Sequence, residues 1–149
     1  MWSSINQMQN DLKTGVVLGL DVGDARIGVA RAHTIARLPE PLEVLERTKV
    51  DAIARLMALA QQEDVVLFVV GLPRLTSGEE GAQAQATREF VQALQQASPL
   101  PCVFVDESFT SAEADTFKQS KQWRSQPSND ALAACLILQR YFTEGGLDV

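Results

Sequence analysis

The sequence predicts an α/β domain built on a mixed five-stranded sheet, with an antiparallel three-strand meander, two parallel strands, and helices on both faces. Three observations point there. Three short segments punctuated by Gly or Pro come first, "GVVLGLDVG", "ARIGVARA" and "LPEPLEVLE", and read as consecutive strands. Helical and strand-like patterns then alternate, as they do where strands run parallel. The last helical segment, "DALAACLILQRYF", is apolar nearly all round, so it belongs deep in the packing.

After the meander, "VDAIARLMALAQQE" places Val50, Ile53, Ala54, Met57 and Ala60 at helical spacing. "DVVLFVVGLP" is a continuous apolar run, the pattern of a strand covered on both faces. The loop "RLTSGEEG" leads into a second helix with Ala86, Phe90, Val91 and Leu94 as its apolar stripe. "LPCVFVDES" reads as the fifth strand and "SAEADTFKQS" as a short helix. Right-handed crossovers place the fourth and fifth strands beside the first. In such sheets functional residues gather at the C-terminal ends of the central strands.

The 149 residues suit one domain with a single core, and 46% hydrophobic with 21% charged residues is ordinary for a globular chain. The opening "MWSSINQMQNDLKT" is polar and lacks the apolar stretch of a signal peptide. We expect 1–14 to be a loosely ordered tail and 15–149 to form the domain, with no membrane association. Cys102 and Cys135 lie in apolar runs, which fits buried thiols in a reducing cytoplasm. A single histidine, His33, leaves little material for a zinc site or a Ser-His-Asp triad. The net charge of −6 opposes nucleic-acid binding unless a basic patch exists locally.

Asp21 is the anomaly, a charge inside an otherwise apolar strand. Alternation puts Val17, Gly19, Asp21 and Gly23 on one face and Leu18, Leu20 and Val22 on the other. A carboxylate there is costly unless paired or bound to a cation, and flanking glycines suit close approach of a ligand. Glu107 ends the fifth strand on the face of Val103 and Val105, while Asp106 points away. Asp130 opens the last helix, where an acidic residue also simply favours the helix dipole. Ala133 and Ala134 follow on the same side and let that helix approach the glycine-lined strand. Asp21, Glu107 and Asp130 would then form a cluster with no basic partner in their own motifs. Three carboxylates together require cations, and oxygen-only ligation suits Mg²⁺ or Mn²⁺. Two ions about 4 Å apart serve phosphodiester hydrolysis.

Other features are less specific. "GLPRLTSGEEG" could present backbone N–H groups and Arg74 to a phosphate at a helix N-terminus, or be a plain Gly-rich turn. Lys118, Lys121 and Arg124 recur every three residues around Trp123. They form either a nucleic-acid edge with a stacking aromatic or a solvated face with Trp123 tucked onto the core. Arg26 could meet a phosphate near Asp21 or pair with Asp24.

Four motifs in order, "GLDVGDARIGVA", "VVGLPRLTSGEEG", "VDESFTSAEA" and "DALAACLILQRYF", resemble the YqgF-type family. The resemblance spans Val16 to Phe142. It implies an RNase H-like fold, with catalytic and metal-binding roles for Asp21, Glu107 and Asp130. Members are described as Holliday-junction-resolvase-like or as nucleases trimming the 5′ end of precursor 16S ribosomal RNA. The expected activity is therefore a metal-dependent endonuclease on structured RNA or branched DNA, working as a monomer or weak homodimer. The sequence departs from the family at Ser108, where Arg is common, and at Gln83, often basic. Between Glu107 and Asp130 only Lys118, Lys121 and Arg124 are basic. "GLDVG" also resembles the phosphate loop of actin-like sugar and acetate kinases, but those need two such domains. A non-catalytic nucleic-acid or ribosome-associated module is the third class, favoured by the acidic charge and opposed by the three carboxylates.

Overall fold

A computed structural model describes residues 14–107, 116, 119 and 127–148. Strands β1 (Val16–Val22), β2 (Arg26–His33) and β3 (Glu40–Glu46) form the antiparallel meander. Helix α1 (Ala52–Gln62) leads to β4 (Val65–Leu72), and α2 (Ala82–Ala97) to β5 (Cys102–Asp106). β4 runs parallel to β1, and β5 parallel to β4. α3 (Asn129–Glu144) closes the fold, followed by β6 (Leu147–Asp148). The sheet order is β3-β2-β1-β4-β5-β6, so the expected five strands are present and a sixth is added. That two-residue strand lies antiparallel to β5, and it is too short for alternation to show in sequence. Gly145, at φ 78°, ends α3 and turns the chain back onto Val103. Of the segment read as a short helix, only Thr116 and Gln119 are described, and both are helical.

The sheet separates two apolar layers. On one side Leu18, Leu20, Phe68, Val70 and Phe104 pack under α1 and α2, against Leu56, Leu59, Phe90, Val91 and Leu94. On the other, Val17, Val69 and Val105 lie under Leu132, Ala134, Cys135, Ile137 and Leu138 of α3. Each fully buried Leu or Phe contributes about 1.5–3 kcal/mol. The apolar stripe of α1 differs from expectation. Ala52, Leu56 and Leu59 face inward, while Val50 and Met57 are each 42% exposed. Ile53 and Ala60 of the expected stripe still pack against the core, but the fully buried Leu56 and Leu59 set the helix's rotation. Asp51 caps that helix by accepting from the Ala54 N–H.

α3 lies unusually close to the sheet because small residues face it. A Cβ on Gly19 would stand 2.7 Å from the Ala134 carbonyl oxygen, and one on Gly28 only 2.0 Å from that of Asp130. Both cysteines are buried and unbridged, and burial pushes the Cys102 thiol up to about 11. Among the described residues no helix is long and apolar enough to cross a membrane.

Candidate active site

β1 delivers Asp21 to the α3 side of the sheet, directly opposite Gly28 in the β1–β2 register. Glu107 follows β5 by one residue, and its N–H donates to the Leu72 carbonyl at 3.2 Å, extending the ladder. Its carboxyl lies over Gly71, whose missing Cβ would be 3.0 Å from Glu107 Cδ. There it hydrogen-bonds to Asp21. Burial, that bond, and the charges of Asp21 and Asp106 push the Glu107 carboxyl up to about 9. A carboxyl raised so far holds a proton at neutral pH, within its hydrogen bond to Asp21. The pair shares one proton because two adjacent carboxylates cannot both ionise cheaply.

Asp130 arrives from the other direction. Ser128 caps α3, its Oγ accepting from the Ala131 N–H at 3.2 Å, and fixes Asp130 in the first turn. The Asp130 backbone rests on Gly28, across the strand pair from Asp21. Its side chain accepts from Arg26 Nε at 3.0 Å. This corrects the expectation that the acidic motifs lack a basic partner, and where the sequence offered Arg26 either a phosphate or Asp24, the carboxylate it pairs with is Asp130. β2 passes beneath the start of α3, and that brings the two ends together across 104 residues of sequence. Among the described residues no three His, Cys, Asp or Glu side chains are gathered as a metal site. Asp21 and Glu107 close on each other, and Asp130 turns to Arg26. The donor set still fits a hard cation, being carboxylate oxygen throughout. A proton and a guanidinium stand where positive charge is needed.

One positioning residue was not visible in sequence. Gln83, in the first turn of α2, donates from Nε2 to the Val22 carbonyl at 3.0 Å and ties that helix to the strand carrying Asp21. The two lie 61 residues apart, and no local pattern announces the bond. In the loop before α2, Arg74 donates to the Gly78 carbonyl at 3.2 Å, and the turn is closed by backbone bonds between Leu75 and Glu79 and between Gly78 and Leu75. α2 starts at Gly81 without a side-chain cap. Lys118, Lys121, Trp123 and Arg124 lie outside the described residues. His33 is exposed at the end of β2, its Nδ1 accepting from the Ile35 N–H. A groove lined by Arg47, Val50, Ile53 and Phe90 opens between α1 and α2, on the sheet face opposite the acidic pair.

The model of a family described as RuvX, Holliday junction resolvase, matches residues 15–144. A protein of Fusobacterium nucleatum named "Putative pre-16S rRNA nuclease" is 35% identical over 129 residues, covering 83% of this chain and 94% of its own length. One of the same name from Paracoccus denitrificans is 41% identical over 131 residues, covering 85% and 83%. Among solved structures, Thermus thermophilus RuvC is similar with a TM-score of 0.62 at 15% identity, covering 90% of this chain and 99% of that one. The same protein in complex with a Holliday junction substrate gives 0.63 at 16%, covering 91% and 99%. At such identity the likeness is one of fold.

Proposed function

Because the chain belongs to the RuvX family of Holliday junction resolvases, we propose that it is a metal-dependent endonuclease acting in 5′-end maturation of precursor 16S ribosomal RNA. The observation that carries the reading is the contact of the Asp21 and Glu107 carboxyls beside the helix turn that bears Asp130. Relatives named as pre-16S rRNA nucleases support the substrate. The work would take place in the cytoplasm.

Asp21, Glu107 and Asp130 would hold one or two Mg²⁺ or Mn²⁺ ions. Bound there, such ions supply charge stabilisation at the attacking and leaving oxygens. Glu107 must first give up its proton, so loading is coupled to proton release. Gly71 and Gly28 keep the sheet low beneath these carboxyls. In this reading Arg26 and Arg74 meet phosphates at the rim, while Lys118, Lys121 and Arg124 track the backbone and Trp123 stacks on a base.

A second reading, resolution of four-way DNA junctions, is favoured by the description of the matching family. A labelled panel distinguishes them: precursor 16S leader RNA, single-stranded RNA and a four-way DNA junction, each with Mn²⁺, Mg²⁺ or EDTA. The expected result is cation-dependent cutting of the RNA. Paired cuts in the junction that spare RNA would favour the second reading. No cutting of any substrate would return the chain to a binding module.

A further inference from the structure

The pairing of Arg26 with Asp130 carries an inference of its own, which rests on the metal-dependent reading above. We propose that Arg26 is a displaceable internal counter-ion: it neutralises Asp130 until a divalent cation takes that carboxylate, and the freed guanidinium then contacts a phosphate of the nucleic acid. The geometry is suited to both states. Among the described residues only Nε is hydrogen-bonded to Asp130, at 3.0 Å, so the forked end of the guanidinium is not committed to that carboxylate, although it also lies in the field of Glu46. The Arg26 side chain is 56% exposed and that of Asp130 31%, so the bond can open without burying an unpaired charge. Arg26 begins β2, directly after the turn closed by the Gly23 N–H on its own carbonyl at 2.9 Å. The backbone is thus fixed while the long side chain is free to swing. Two other arginines are more firmly occupied by carboxylates. Arg55 grips Glu43 with two bonds, and Arg88 grips Glu80 likewise.

The consequence is an ordered site, in which phosphate recognition strengthens only after the cation is in place. Calorimetric titration of the full-length chain with Mn²⁺ alone, compared with Arg26→Gln, tests the competition. The variant should bind Mn²⁺ roughly two- to fivefold more tightly, the range for a partly exposed pair. Arg26→Lys keeps the charge but loses the Nε contact and should fall between; it also stands in if the Gln variant does not fold. Anisotropy of a labelled, phosphorothioate-linked single-stranded RNA tests the second half. Mn²⁺ should steepen the wild-type dependence of log affinity on log salt by about 0.7, the value of one added phosphate contact, and leave the variant unchanged. A folded variant that binds Mn²⁺ no more tightly than wild type overturns the counter-ion role alone. Wild type that binds no Mn²⁺ overturns the metal-dependent reading with it.

Discussion

Glu107 holds its proton because of where β5 ends, and this makes stability depend on pH. Its carboxyl is raised from an ordinary value near 4.5 to about 9 by burial and by Asp21. The folded chain therefore binds more protons than the unfolded one across that window. The stabilisation is complete below the unfolded value and is lost as pH rises through the folded one. Glu107→Gln cannot ionise and can still donate to Asp21. Without divalent cations it should flatten the Tm-against-pH curve between pH 5 and 9 and raise Tm at pH 8. A gain of about 2–4 °C per kcal/mol is expected for a chain of this size. Thermal melts in EDTA check this, and parallel curves for the two proteins would contradict it. At this scale the sequence was unevenly legible. Asp21 stands out because a charge interrupts apolar residues, whereas Glu107 is an ordinary strand-end acid until its neighbours are known. The partner of Arg26 could not be read at all, since it lies on a helix 104 residues away.

Among the elements, α3 is the one that brings Asp130 to the site. It sits against β1 and β2 because Gly19 and Gly28 have no side chain to hold it off. Gly28→Ala would drive a methyl into the Asp130 carbonyl, 2.0 Å away, and the rigid backbone on both sides cannot yield locally. We expect a loss of about 1–3 kcal/mol, the range for overpacking. We also expect cleavage to fall by more than the unfolded fraction explains, because Asp130 moves with its helix. Denaturant melts beside single-turnover assays would show both effects. Normal activity in a destabilised Gly28→Ala protein would separate α3 placement from catalysis. The existence of the predicted strands and of α3 was legible from periodicity and Gly/Pro punctuation. The rotation of α1 was not, since Val50, Ile53 and Met57 offer one apolar stripe and Leu56 and Leu59 another, and the sheet beneath selects between them; β6 was too short to carry a pattern.

For the whole molecule, charge is the constraint. The chain carries −6 overall, and several arginines are tied to carboxylates, Arg31 bridging Glu40 and Glu63 among them. Nucleic-acid affinity must then draw on few cations. If Lys118, Lys121 and Arg124 meet phosphates, replacing all three with Gln should flatten the salt slope of RNA binding by roughly two units. An unchanged slope would make that segment a solvated face. The exposed large apolar residues are distributed over several elements, with Ile35 and Leu38 between β2 and β3, Val50 and Met57 at α1, and Leu75 before α2. Among the described residues they form no single isologous patch, so sedimentation at micromolar concentration should give a monomer or a weak dimer. A tight dimer would contradict that.

Single-turnover cleavage of labelled precursor 16S leader RNA in Mn²⁺, comparing wild type with Asp21→Asn, asks whether Asp21 belongs to a cation-dependent cleavage site. If Asp21 is one of the carboxylates that hold the cation, its loss should cost roughly 10²-fold or more in rate. The fold should persist, with Tm equal or higher because Glu107 then faces no second carboxylate and is relieved of part of the cost of holding its proton. A cleanly folded Asp21→Asn protein that cleaves at the wild-type rate would contradict the account.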